Sequence, residues 1–142
     1  MESPLIKQQD IQSGLSANTF FNVAKTYQQI GRFNQSLAVA YSATQKDSDL
    51  QKQYQAHYIE TIKLGAEFAE EIGNHHLAAH YWEHFIKYQA KNSDAWHGLG
   101  IAKANLKDFS AAQQALAKCL QIQPNNHKVR NQLQEIQQLV SR

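Results

Sequence analysis

The sequence predicts an all-α chain of stacked helical hairpins, on three observations. Phe20 to Ser36, Ile62 to Ala78 and Trp96 to Ala112 each span the same 16 residues and pair a bulky residue with a small one. The 142 residues include only two prolines and six glycines, among abundant Ala, Gln, Leu and Lys, which are good helix formers apart from their context. No segment of useful length alternates apolar and polar residues as a half-buried strand would.

Ser3-Pro4 reads as a helix start and Gly14 as a stop, which predicts an N-terminal helical segment within 1–16. The first hairpin, 17–50, carries Phe20, Val23, Ala24, Tyr27, Gly31, Phe33, Ser36 and Ala40. The second, 51–92, carries Ile62, Gly65, Ala66, Ala69, Gly73, Ala78 and Trp82. Small residues let paired helices approach closely, so Ala24 is expected to face Ser36, Ala66 to face Ala78 and Gly100 to face Ala112. Phe20, Tyr27, Trp82, Trp96 and Leu116 are the fillers between pairs. Gly31 and Gly73 sit where a helix ends in a left-handed cap.

The step from Phe20 to Ile62 is 42 residues, eight more than the 34 from Ile62 to Trp96. The surplus falls between Lys46 and Tyr58. Asp47-Ser48-Asp49 is a helix start, and Leu50, Tyr54, Tyr58, Ile62, Ala66 and Ala69 then recur on one stripe. One long helix from about Asp49 to Ile72 is predicted, with about 12 Å added by the extra turns. An alternative register through Leu64-Gly65 and Phe68 would rotate its presented face by about 100°. The first register keeps Ile72-Gly73 and Ala78 in step. After Pro124 and Asn125-Asn126, the spacing of Val129, Leu133, Ile136 and Val140 predicts an amphipathic helix over 127–142, with Lys128, Arg130, Gln134 and Gln138 on its other faces.

Residues 93–126 carry Trp96, Leu99, Gly100, Ala112, Leu116 and Pro124, the pattern W-x2-L-G-x2-Y…A-x3-F…P, with Lys103 where an aromatic is usual. This segment resembles a tetratricopeptide repeat, and the two earlier hairpins are fainter copies. The resemblance implies a right-handed α-solenoid of three helix–turn–helix units closed by a solvating cap helix. It also implies a non-catalytic protein–protein interaction module that holds a peptide or helical segment of a partner in a concave groove.

In that family the first helix of each pair lines the groove. Carried over by position, the groove residues are Asn18, Phe21, Lys25, Gln28 and Gln29, then Glu60, Lys63, Glu67, Glu70 and Glu71, then Asp94, His97, Ile101, Ala104 and Asn105. The centre is acidic, with amides and two apolar points, Phe21 and Ile101, at its flanks. Such a lining favours a basic or amide-rich partner with an apolar anchor. The chaperone-tail clamp of some relatives needs lysine and asparagine where this chain has Phe21 and Lys25, asparagine where it has Leu64, and lysine with arginine where it has Asp94 and Gly98. That specialisation is excluded.

Fourteen basic and twelve acidic residues leave a net charge of +2, so nothing favours nucleic acid or an anionic bilayer. No stretch is long and apolar enough for membrane insertion and no leader pattern opens the chain, so a cytoplasmic protein is expected. The initiating methionine and the cap helix speak mildly against an excised domain of a larger enzyme. The single cysteine, Cys119, lies with Ala112, Ala115 and Leu116 on an inward stripe and is expected in the core.

His76, His80 and His84 form a ladder at intervals of four with His75 and Glu83 adjacent, a weak metal candidate that offers no closed set of four ligands. A solvated stripe turning cationic near pH 6.5 is the better reading. Trp82 and Phe85 fit core positions, whereas Tyr81 and Tyr88 fall off the inward face. Tyr54 and Tyr58 lie on the extension; most of these aromatics are expected to pack between neighbouring pairs, and one left exposed on the extension would supply a second contact surface, through which a homodimer would form. No phosphate loop, nucleophile elbow, H-E-x-x-H or C-x-x-C pair occurs, so neither catalysis nor a cofactor is expected. The rival binding function is a small secretion-type chaperone masking an aggregation-prone client, whose family pattern lacks the 42-residue step.

Overall fold

A computed structural model describes residues 16–141, and the predicted helix within 1–16 lies almost wholly outside them. The described residues are all-helical. Helix α1 is Ala17–Gln29, α2 Phe33–Lys46, α3 Gln51–Glu71, α4 His75–Tyr88, α5 Ser93–Asn105, α6 Phe109–Ile122 and α7 His127–Val140. A single 3-10 turn, Ser48–Leu50, precedes α3. The chain forms two compact units that divide between Thr61 and Ile62, inside α3.

In the first unit, Ser16 caps α1 by accepting from the Thr19 amide at 3.2 Å. Phe20, Phe21, Ala24 and Tyr27 of α1 pack with Val39, Ala40 and Ala43 of α2 and with Leu50. Ser36 is fully buried and its hydroxyl donates to the Ala24 carbonyl at 2.7 Å, which brings the two small positions together as predicted. The Tyr27 ring is equally buried, and its hydroxyl has no partner.

The long helix begins two residues after Asp49. Asp47 accepts from the Asp49 amide at 3.0 Å, and the Leu50 amide reaches the Asp47 carbonyl at 3.1 Å, which winds the entry into a tighter turn. The stripe expected through Tyr58 also runs differently. In the first unit Leu50 of the entry turn and His57 and Thr61 of α3 are buried, with Tyr54 packed beside them, while Tyr58 is half-buried. Two of those positions are polar, so an apolar stripe could not reveal them. Thr61 is reached by the Gln28 side-chain amide, which donates at 2.9 Å.

In the second unit α3 instead buries Ile62, Ala66 and Ala69, as the preferred register requires, while Phe68 is 45 % exposed. Trp82 and Phe85 of α4 are buried and meet edge to face, with ring centroids 5.7 Å apart. Tyr81 is only half-buried, and its ring covers Gly65 so closely that an added Cβ would lie 2.9 Å from it. At Gly100 an added Cβ would come within 2.7 Å of Leu116 and 3.5 Å of the Ala112 carbonyl, which is the close approach expected of α5 and α6. Val129 and Ile136 of α7 then cover Ala112, Leu116 and Cys119. Burial pushes the Cys119 thiol above its ordinary range, with Asp94 adding to the effect. Val140, expected on the same apolar face, is exposed in the last turn of α7.

All three hairpin turns close alike. The amides of Arg32, Asn74 and Asp108 each reach five residues back, to the Tyr27, Ala69 and Lys103 carbonyls, at 2.9 Å. The preceding residue is left-handed each time: Gly31 at φ 81°, Gly73 at φ 73° and Lys107 at φ 65°.

Candidate functional sites in the two units

The first unit has an open recess of about 430 Å³ between α1 and the first half of α3. From α1 come Asn18, Phe21, Asn22 and Lys25, which recur at the three- and four-residue steps that align one helical face. From α3 come Gln53, Ala56, His57 and Glu60, aligned by the same steps. One cation faces one anion, and the remaining polar lining is amide and imidazole.

His57 is the most constrained member. Its Nε2 lies 2.7 Å from the Ser36 hydroxyl, which already donates to the Ala24 carbonyl. A hydroxyl has one proton, so Ser36 must accept here and His57 Nε2 must carry the hydrogen. The ring is 6 % exposed and meets Phe21 edge to face. Burial holds its pKa below 6.5; Glu60 acts in the opposite direction and Lys25 in the same one.

The second unit has a recess of about 340 Å³. It is lined by the small residues Ala78, Gly98 and Ala102, by apolar Ile101, and by Glu70, His75, His97, Asn105, Lys128 and Gln132. Glu70 is partly committed, because its Oε1 accepts from the Trp82 indole nitrogen at 2.7 Å. A Cβ added at Gly98 would stand 2.5 Å from that nitrogen and 3.0 Å from the carboxylate, so only glycine lets α5 pass over the pair. His97 Nε2 is 2.8 Å from the Gln132 side-chain oxygen and therefore donates to it.

Of the predicted groove residues, Asn18, Phe21, Lys25 and Glu60 line the first recess. Glu70, His97, Ile101 and Asn105 line the second. Gln28 is turned to Thr61. Gln29, Lys63, Glu71 and Asp94 are exposed, and Glu67 and Ala104 half-buried, outside both recesses. The lining therefore holds two of the four predicted glutamates, one in each unit.

Residues not foreseen are Asn22, Gln53, Ala56 and His57 in the first recess, and His75, Ala78, Gly98, Ala102, Lys128 and Gln132 in the second. Gln53, Ala56 and His57 fall in the eight-residue surplus, where a repeat frame has no counterpart. Their alignment with Glu60 was the available signal.

On α4, His80 and His84 stack edge to face with centroids 4.5 Å apart. Glu83 between them is paired with Lys103 at 3.0 Å. Among the described residues no three His, Cys, Asp or Glu side chains gather as a metal cluster. Among the same residues no helix is long and apolar enough to cross a membrane.

Residues 93–126 match the family model described as tetratricopeptide repeat. No curated protein matches the chain. Among solved structures, the C-terminal TPR-containing domain of a Plasmodium falciparum protein described as FK506-binding superposes with a TM-score of 0.60 at 17 % identity, over 94 % of this chain and 92 % of that one. MamA gives 0.57 at 16 % identity, over 94 % and 74 %. The first TPR of Spaghetti (RPAP3), bound to the HSP90 peptide SRMEEVD, gives 0.51 at 14 % identity, over 99 % and 100 %. At residues 93–126 the chain is similar to the tetratricopeptide repeat, and its fold is similar to that of TPR-containing domains.

Proposed function

We propose that the chain is a non-catalytic interaction module that holds a polypeptide segment of another protein on the faces lined by α1, α3 and α5. The observation that carries this reading is the meeting of polar and apolar side chains in each recess. Phe21 stands beside Lys25 and Glu60 in the first, and Ile101 beside His97, Asn105 and Lys128 in the second. Open recesses of roughly these volumes suit single side chains of a peptide, with polar groups fixing orientation.

The partner chemistry we infer is amide-rich with an apolar anchor. Lys25 offsets Glu60 in the first recess, and Lys128 offsets Glu70 in the second, so neither lining is strongly acidic. The HSP90 peptide held by the first TPR of Spaghetti (RPAP3) is acidic at its end. Phe21, Leu64 and Gly98 occupy places where a clamp for such a tail would need amide or basic groups, so we do not extend that ligand to this chain.

An affinity pull-down read by mass spectrometry tests the reading, run beside a variant with Lys25→Ala and Ile101→Ala. Proteins recovered by the wild type and lost by a folded variant would support it. Equal recovery by both would overturn it.

A further inference from the structure

The first recess contains a hydrogen-bond acceptor that follows from the buried network behind it. Ser36 donates to the Ala24 carbonyl and accepts from His57 Nε2, so the lone pair of the neutral imidazole resides on Nδ1. Among the described residues the Tyr27 hydroxyl is the sole buried side-chain polar atom without a partner. Among the described residues Nδ1 has no hydrogen-bond partner, it is not sealed off, and the ring lines the recess. A buried serine thus fixes the tautomer that leaves Nδ1 of His57 an acceptor, in a ring that lines the recess.

We propose that His57 Nδ1 is the acceptor with which the first recess recognises a neutral amide, an Asn or Gln side chain of a bound polypeptide. The inference rests on the peptide-binding reading of this recess and narrows its ligand. A carboxamide needs a donor and an acceptor on one small face. Here Nδ1 and the Glu60 carboxylate accept from its NH₂, and Lys25 or the Asn22 side-chain amide donates to its oxygen. The single positive and single negative charge favour a neutral group over an ion of either sign.

The arrangement makes recognition depend on pH. The charged groups acting on the ring are Lys25 from α1 and Glu60 from its own helix, while α2 brings the uncharged Ser36. Protonation would place a hydrogen on Nδ1, turning the acceptor into a donor and setting a cation beside Lys25. Amide recognition is then lost in acid.

The probe is a set of peptides selected on the wild-type protein from a displayed random library at about pH 7.5, above the imidazole range. Peptides that shift the NMR signals of Asn22, Lys25 and Glu60 are carried forward. The expected result is a recurrent Asn or Gln and an affinity that falls as the pH is lowered from about 7.5 to about 5, by less than about tenfold at about pH 5.5 because the folded pKa lies below 6.5. His57→Gln keeps an acceptor that cannot take a proton and should bind without that pH dependence. His57→Phe should bind about tenfold more weakly than wild type at about pH 7.5 and show no such pH dependence.

Peptides that occupy the recess with no amide preference, or that bind His57→Phe as well as wild type, overturn this inference and leave peptide binding standing. Peptides that never perturb the recess overturn both. Nitrogen NMR of the free wild-type protein supplies an arm independent of any variant's folding. A proton on Nδ1 of neutral His57, in place of Nε2, overturns the proposal by itself.

Discussion

Lys107 stands at the turn position that Gly73 holds one repeat earlier, and its φ of 65° is nearly that of the glycine at 73°. The hydrogen bonds are also the same, with Asp108 reaching Lys103 where Asn74 reaches Ala69. A side chain in the left-handed region crowds its own carbonyl, at a cost of about 1–2 kcal/mol, whereas glycine loses about 0.5–1 kcal/mol more backbone freedom on ordering. Lys107→Gly should therefore stabilise the second unit by somewhat under about 1 kcal/mol. Thermal and urea unfolding of the two proteins would register this as a raised midpoint; a lowered one contradicts the strain.

Arg32 holds the entry to α2 in the backbone geometry of a cap without the chemistry of one. Its φ and ψ are −93° and 72°, against −87° and 86° at Asn74 and −87° and 76° at Asp108. Asn74 accepts from the Leu77 amide at 3.1 Å and Asp108 from the Ala111 amide at 3.2 Å, but Arg32 supplies no such bond. Arg32→Asp should raise stability by about 1 kcal/mol, since the backbone already presents the orphan amide and the helix dipole favours the anion. Urea midpoints at neutral pH measure it, and an unchanged value would mean that water already satisfies that amide.

These two substitutions also mark what the sequence could reveal. Bulky and small residues 16 apart disclosed the hairpins because close helix packing demands a small residue at each crossing, as with Ala24 and Ser36. The turns were legible through Gly31 and Gly73, whereas Lys107 concealed the third left-handed residue behind an ordinary side chain. The long helix was legible from its length and its acidic start. Its change of buried face between Thr61 and Ile62 was not, because His57 and Thr61 are polar residues buried by hydrogen bonds. For the same reason the sites were read in halves. Groove positions on α1 and α5 follow the repeat period, but Gln53 and His57 lie in the surplus and Lys128 and Gln132 on the cap helix.

Glu70 serves the fold as well as the second recess, which separates two effects of changing it. Its Oε1 accepts from the buried Trp82 indole nitrogen, and a buried donor left without a partner costs about 1–3 kcal/mol. Glu70→Gln keeps a side-chain oxygen at the same reach and should cost under about 1 kcal/mol, whereas Glu70→Leu should cost about 1–3 kcal/mol. Unfolding midpoints with tryptophan fluorescence as the probe would rank wild type, Gln and Leu in that order. Equal stability of the last two would show that the bond contributes nothing. Charge effects on partner binding are better sought at Glu60, whose side chain is exposed at the first recess.

His57 gives stability a direction in mild acid. Its folded pKa lies below 6.5, first because the ring is buried and further because Lys25 is near, with Glu60 opposing. Burial, His80 and Lys87 lower His84 as well, against Glu83. Between each folded value and 6.5 the unfolded chain binds more protons than the native one, so stability rises with pH across that interval. These histidines' contribution is thus complete above about pH 6.5, declines as the pH falls through their lowered folded values, and changes no further below them. His57→Gln, which keeps an amide hydrogen for Ser36 and cannot titrate, should flatten the decline. Urea midpoints of wild type and variant measured from about pH 7.5 down to about pH 5 test this. Parallel curves would mean that His57 binds its proton equally well folded and unfolded, against the effect of its burial.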